Sequence, residues 1–128
     1  APTMREVVAS KDAPAAIGPY PQASRHGNVL YLAGQIPIDP KTNQLNTGSI
    51  EDQTKLVLDN LKAGLAANNM TMDDVVSTSV FMKDLNDFTR MNTVYATYFT
   101  NKPPARATVQ VARLPRDVAI EISAVAAK

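Results

Sequence analysis

From Val118 to Val125 the sequence alternates with a period of two: Val118, Ile120, Ile122 and Ala124 fall on one side, Ala119, Glu121, Ser123 and Val125 on the other. That is the pattern of an extended strand whose two faces meet different surroundings. The first set reads as a core face covered by helices. The second is too mixed for a core and too apolar to stand wholly in water. Upstream, Ala105 to Ala112 is another run rich in β-branched residues, and Leu114-Pro115-Arg116-Asp117 separates the two, so the pair is expected to form a hairpin. Each run carries one charge, Arg106 in the first and Glu121 in the second. An arginine presents a planar fork of donors that matches a carboxylate. A glutamate among Val, Ile and Ala is either solvated or kept for acid–base work.

Register decides whether the two charges can cooperate. With Pro115-Arg116 as a two-residue loop, Gln110 lies opposite Glu121 and Arg106 opposite Val125. Arg106 and Glu121 then share a face but stand about 13 Å apart at ~3.3 Å per residue, too far to hold one three-carbon ligand together. Moving the turn by one residue puts them on opposite faces. A shared site needs a bulge or a neighbouring subunit, and sites between subunits are the favoured reading. A second copy of the chain would also cover the mixed face, so an oligomer is expected.

Earlier in the chain, Arg5 to Ala9 is a short strand candidate, and Asp12 to Gln22, with Pro14, Gly18, Pro19 and Pro21, is an extended loop stiff enough to present Tyr20. Ala23 to His26 and Val29 to Ile36 form a hairpin around Gly27-Asn28, with His26 a solvated turn residue. Gly34 sits inside the second of these strands, where glycine weakens the ladder unless a bulge or a ligand needs close backbone approach. After a polar loop, Pro40 to Gly48, Ser49 caps a helix with Glu51 and Asp52 in its first turn and Ile50, Thr54, Val57, Leu58, Leu61 and Leu65 on one stripe, running to about Ala67. Val75 to Met82 is a strand with one face partly small and polar. Asp84 to Asp87 starts a second helix with Phe88, Met91, Val94 or Tyr95, and Tyr98 on its buried side, ending before Pro103-Pro104; its aromatics read as core, and Asn92 either faces solvent or reaches a site. The expected fold is α+β, a single domain over residues 1–128 with about six strands and two helices on one face of the sheet.

Composition narrows the chemistry. A net charge of +1 across 128 residues gives no electrostatic case for nucleic acid. No apolar run approaches the ~18 residues of a membrane span. The N-terminus lacks a signal-peptide pattern, and a chain opening at Ala1 reads as trimmed or processed; a cytoplasmic location is expected, with the mitochondrial matrix as the eukaryotic counterpart. With zero cysteines and one histidine, thiolate nucleophiles, disulfides and histidine-rich metal sites are excluded, and no metal or cofactor is called for.

The blocks AIGPYPQA (Ala16 to Ala23), YLAGQIPIDP (Tyr31 to Pro40), MKDLNDF (Met82 to Phe88) and PPARATVQVARLPRDVAIEISAVA from Pro103 onward resemble the RidA (YjgF) family of reactive-intermediate imine deaminases, over essentially the whole chain. The resemblance implies a chorismate-mutase-like α+β fold with a mainly antiparallel sheet, a homotrimer with three intersubunit clefts, and cofactor-independent hydrolysis of 2-imino acids and their enamine tautomers to 2-keto acids and ammonia. It implies that Arg106 grips the substrate carboxylate and Glu121 handles water and the imine nitrogen, with Tyr20, Gly34, Asn92 and Thr108 binding substrate. Thr108 falls where many relatives carry cysteine, and Ala33 where serine is frequent. Two other readings accompany the resemblance: a trimer that only binds 2-keto acids, and an RNA-directed endoribonuclease or translation inhibitor. The near-neutral charge and lone histidine speak against the latter.

Overall fold

Ser49 is the N-cap of the first helix: its hydroxyl accepts a 3.1 Å hydrogen bond from the amide of Asp52, and Glu51 and Asp52 place negative charge on the first turn. The helix, α1 (Ile50–Ala66), buries Ile50, Thr54, Val57, Leu58, Leu61 and Leu65, the stripe set by their spacing. The computed structural model describes residues 4–9, 11–12, 14–15 and 21–128. Around α1 stand β1 (Arg5–Val8), β2 (Ala23–His26), β3 (Val29–Gln35), β4 (Val75–Met82), α2 (Phe88–Tyr98), β5 (Ala105–Gln110) and β6 (Ile120–Ala127). Both hairpin strands around Gly27-Asn28 form as expected, and Gly27 takes the left-handed φ of 61° that such a turn requires.

The six strands form one sheet in the order β1-β2-β3-β6-β4-β5. Every neighbouring pair is antiparallel except β4 and β5, which run parallel with α2 as their crossover. The expected hairpin between Ala105–Ala112 and Val118–Ala126 does not form. Instead β6 lies between β3 and β4, and β4 separates it from β5. The connection passes through a 3-10 turn at Pro115–Asp117 in which Arg116 and Asp117 both adopt left-handed backbone, with φ of 55° and 58°. A two-residue turn would have closed the hairpin; this longer connection carries the chain past the end of β4. Local sequence marks where strands are, but partner choice comes from which neighbours bury the most apolar surface, and a central slot between two strands buries both edges of β6.

One face of the sheet packs on the helices. Leu30 and Leu32, Val80 and Met82, and Ile120, Ile122, Ala124 and Ala126 are buried there against Val57, Leu58, Leu61, Leu65 and Met91. Val118 departs from its expected place among them: it precedes β6 and joins a separate small cluster with Ile36, Ile38 and Leu114. At the start of β4 a register shift between Val75 and Ser77 reverses the alternation, leaving Val75 buried and Val76 exposed. The other face carries Tyr31, Ser79, Phe81, Val109, Glu121, Ser123 and Val125, and among the described residues no helix lies over it. Tyr31 and Val109 are 52% and 45% exposed.

Gln53 couples α1 to the start of β6. Its amide nitrogen donates to Gly48 O at 3.1 Å, and its carbonyl oxygen accepts from the Ala119 amide at 2.9 Å, while the side chain is buried. A leucine would fill the space but leave the half-buried Ala119 amide without its acceptor. Gln53→Leu is therefore expected to lose about 1–3 kcal/mol in urea unfolding with an unchanged m-value, since an unsatisfied buried donor costs on that order.

Candidate functional site

Glu121 and Arg106 are placed in different parts of the molecule. In the ladders on β4, Glu121 lies in the row of Phe81 and Val109, and Arg106 in the row of Thr78 and Ala124. The rows are three residues apart along β4, an odd number, so the side chains point to opposite faces. They are also two strands apart, about 10 Å across the sheet. The shared face inferred from a hairpin register is thus overturned, because β4 rather than β6 is the neighbour of β5.

Glu121 stands on the face without helices, over a break in the β3–β6 ladder. The register shifts between Leu32 and Gln35, and Gly34 lies within the shift. A side chain at Gly34 would run into the Glu121 carboxyl group, whose carbon would be 2.9 Å from the new Cβ. Of the two roles weighed for this glycine, the bulge is present, and the space a side chain would need is taken by the Glu121 carboxyl group. Burial pushes the Glu121 carboxyl pKa up. No cation pairs with it among the described residues. Glu121, Gly34, Ala33 and Pro115 border an open groove of about 500 Å³ that continues along Ser24 and Tyr31. On its other side, a smaller depression adds Gln22, Gln35, Ile36 and Ile38 to the lining.

Arg106 lies on the helix side of edge strand β5. Its Nη1 donates to Asn92 Oδ1 at 2.7 Å, and its guanidinium sits over the rings of Tyr95 at 4.7 Å and Phe88 at 5.5 Å. No carboxylate pairs with it among the described residues. Asn92, Tyr95, Ala96, Phe99, Pro103 and Arg106 line a depression of about 240 Å³. Asn92 is thus turned to Arg106 and is half-buried. Phe88 is not core: it is 37% exposed and belongs to the arginine's surroundings. Thr108 follows on the same side of β5, its hydroxyl buried and without a hydrogen-bond partner. Tyr20 lies outside the described residues. His26 is exposed at its turn, as expected.

Two contributors are not apparent from composition alone. Tyr95 reads as core, yet its ring supports the guanidinium. The signal was the spacing of Phe88, Asn92 and Tyr95, which at i, i+4 and i+7 places them on one helical stripe. Pro115 has no local signal of this kind, because its place beside Glu121 depends on the path between β5 and β6. Among the described residues no group of three or more His, Asp or Glu is gathered to hold a metal ion, and no helix is long and apolar enough to cross a membrane.

The chain matches the family model described as Endoribonuclease L-PSP over residues 10–128. It is 54% identical to a RutC family protein of Pyrococcus horikoshii, covering 98% of this chain and 99% of that protein. It is 45% identical to a 2-iminobutanoate/2-iminopropanoate deaminase of Escherichia coli, with the same coverage of each. Among solved structures, the E. coli YjgF gene product superposes with a TM-score of 0.92 at 46% identity, covering 96% of this chain and 98% of that one. E. coli TdcF with bound serine also gives a TM-score of 0.92, at 40% identity and the same coverage.

Gly34→Ala is expected to displace the Glu121 carboxyl group while leaving the fold intact, visible as a moved Glu121 side-chain signal in NMR spectra and a thermal midpoint within a few degrees of the parent. A carboxyl group whose pKa is raised on folding favours the folded state at low pH and disfavours it as pH climbs through the raised value. Glu121→Gln should therefore melt higher than the parent at pH 7, and this advantage should disappear as pH falls below the ordinary glutamate range.

Proposed function

The chain belongs to the Endoribonuclease L-PSP family, the RidA/YjgF family, and from that membership we propose that it hydrolyses 2-imino acids such as 2-iminobutanoate and 2-iminopropanoate to 2-keto acids and ammonium. The observation that carries this reading is the separation of its two charged groups. Among the described residues, a guanidinium with no carboxylate partner lies on one edge, and a carboxyl group whose pKa is raised by burial sits over Gly34 on the opposite face. Neither is explained by stability, since an ion pair would satisfy both better.

In this reading three copies assemble through the face that carries Tyr31, Val109 and Val125, and each cleft takes Arg106 from one copy and Glu121 from the next. Burial of that partly exposed apolar surface would drive assembly. Arg106 holds the substrate carboxylate by two parallel hydrogen bonds, which fixes the adjacent C2. The E. coli relative with bound serine supports a ligand bearing an α-carboxylate. The imine reacts as its protonated form, C=NH2+: Glu121 accepts a proton from water as the water oxygen adds to C2 and the C=N electron pair moves to nitrogen, giving a neutral amine. It returns that proton to nitrogen, the C–N bond breaks with its electrons going to nitrogen, and the hydroxyl proton leaves with ammonia as ammonium. A carboxyl pKa raised by burial suits a group that both takes and gives a proton. An RNA substrate finds less support: a net charge of +1 provides no excess of basic residues to engage phosphates.

Arg106→Ala and Glu121→Gln are each expected to lower kcat/KM for freshly generated 2-iminobutanoate by about 100-fold or more while remaining folded and trimeric by sedimentation. Unfolding and reassembling the two variants together should restore about one site in four, because each cleft draws its two groups from different copies. Parent-like hydrolysis by either variant, or no recovery in the mixture, would sink the shared site. RNA cleavage that weakens steeply with salt would favour the nuclease reading.

A further inference from the structure

We infer that Tyr95 is the positioning residue for Arg106, fixing its guanidinium so that the outward donors meet a ligand carboxylate; this rests on the carboxylate-binding reading of Arg106. An arginine on an edge strand has a long stem with much rotamer freedom, and binding through it normally means ordering that stem. Here the stem is already ordered. Of the two rings beneath the guanidinium, Phe88 is partly exposed and without a polar anchor, whereas Tyr95 is buried and its hydroxyl shares a 2.7 Å hydrogen bond with the Thr78 hydroxyl. Thr78 is the residue directly opposite Arg106 in the β4–β5 ladder. The arrangement closes on itself: the backbone row fixes Thr78 against Arg106, Thr78 fixes the tyrosine ring, and the ring fixes the guanidinium of the same row.

The chemistry of the support matters as much as its rigidity. A carboxylate beneath Arg106 would hold it equally still but would neutralise it and occupy its fork. An aromatic face attracts the cation without accepting an N–H, so of the five donors of a guanidinium one is committed to Asn92 and the rest remain for a ligand. Packing alone accounts for the ring, which also meets the tilted Phe99 ring with centroids 4.6 Å apart, but not for the charge placed over it.

The test uses the full chain with Tyr95→Leu and Tyr95→Phe, and Arg106→Ala as reference. Tyr95→Met, which can fill the same space, stands in if the leucine variant does not fold. Binding of 2-oxobutanoate is measured by calorimetry, KM and kcat with 2-iminobutanoate generated in place, and the Arg106 Nε–H resonance by NMR. Losing the ring is expected to raise Kd and KM about tenfold, with kcat within about threefold and the Nε–H resonance shifted downfield as the ring current disappears. Tyr95→Phe keeps the ring and should keep Kd, KM and the resonance near the parent's, even if it melts lower. A purely structural role would lower the melting point in both variants without separating KM from kcat. Parent-like binding by the folded leucine or methionine variant, beside lost binding in Arg106→Ala, overturns the inference alone. Parent-like binding by Arg106→Ala overturns the carboxylate role of Arg106 and the inference with it.

Discussion

The pairing of β6 with both β3 and β4 is the contact on which the rest of the structure depends. This strand is last in the chain and central in the sheet. Its inward residues, Ile120, Ile122, Ala124 and Ala126, complete the core beneath the helices, and its outward residues include Glu121. Until it inserts, β3 and β4 each keep an unpaired edge and α1 lacks part of the surface it covers. Its partner β3 comes from far earlier in the chain, so the pairing closes a long loop before it yields its contacts, which places the cost of folding late and on non-local structure.

The same insertion sets the geometry of the two charged groups. Because β6 displaces β5 to the edge, Arg106 becomes an edge residue that α2 can reach with Asn92, Phe88 and Tyr95. Because β6 meets β3 across a bulge, Glu121 faces Gly34 instead of another side chain. Each group is polar, partly withdrawn from water and without an opposite charge among the described residues, a state that folding alone does not favour. The two halves are held apart by the β-sheet itself, and a single chain has no motion short of unfolding that would bring them together. In the function proposed above, a second copy is what joins them, and the sheet face that carries Tyr31 and Val109 is the surface it would use.

How the halves are held differs. The guanidinium is ordered by an amide oxygen and two aromatic faces, which leave its charge intact. The carboxyl group is left close to backbone in a groove that disfavours its ionised form. One half is built to keep a charge and present it, the other to let a charge come and go. The proposed function uses that contrast, with the guanidinium for a carboxylate and the carboxyl group for proton transfer.

Much of this was written in the sequence because it depends on neighbours close along the chain. The period-two alternation of β6 from Ile120 onward, the 3.6-residue stripe of α1 with its Ser49 cap, and the Gly27-Asn28 turn are local patterns that formed where their residues predict, with Val118 falling outside the strand. The similarity of the quoted blocks to the RidA family identified the chain's family and singled out Arg106 and Glu121. What the sequence left open, beyond the β2–β3 hairpin, was which strand lies beside which. A run such as Ala105–Gln110 pairs as readily with a strand after it as with one before it, and the difference is decided by total burial across the sheet. The opposite faces of Arg106 and Glu121, the tyrosine beneath the arginine and the proline beside the glutamate all follow from that choice. They are set by contacts between residues distant in sequence, which local propensity does not encode and tertiary packing alone decides.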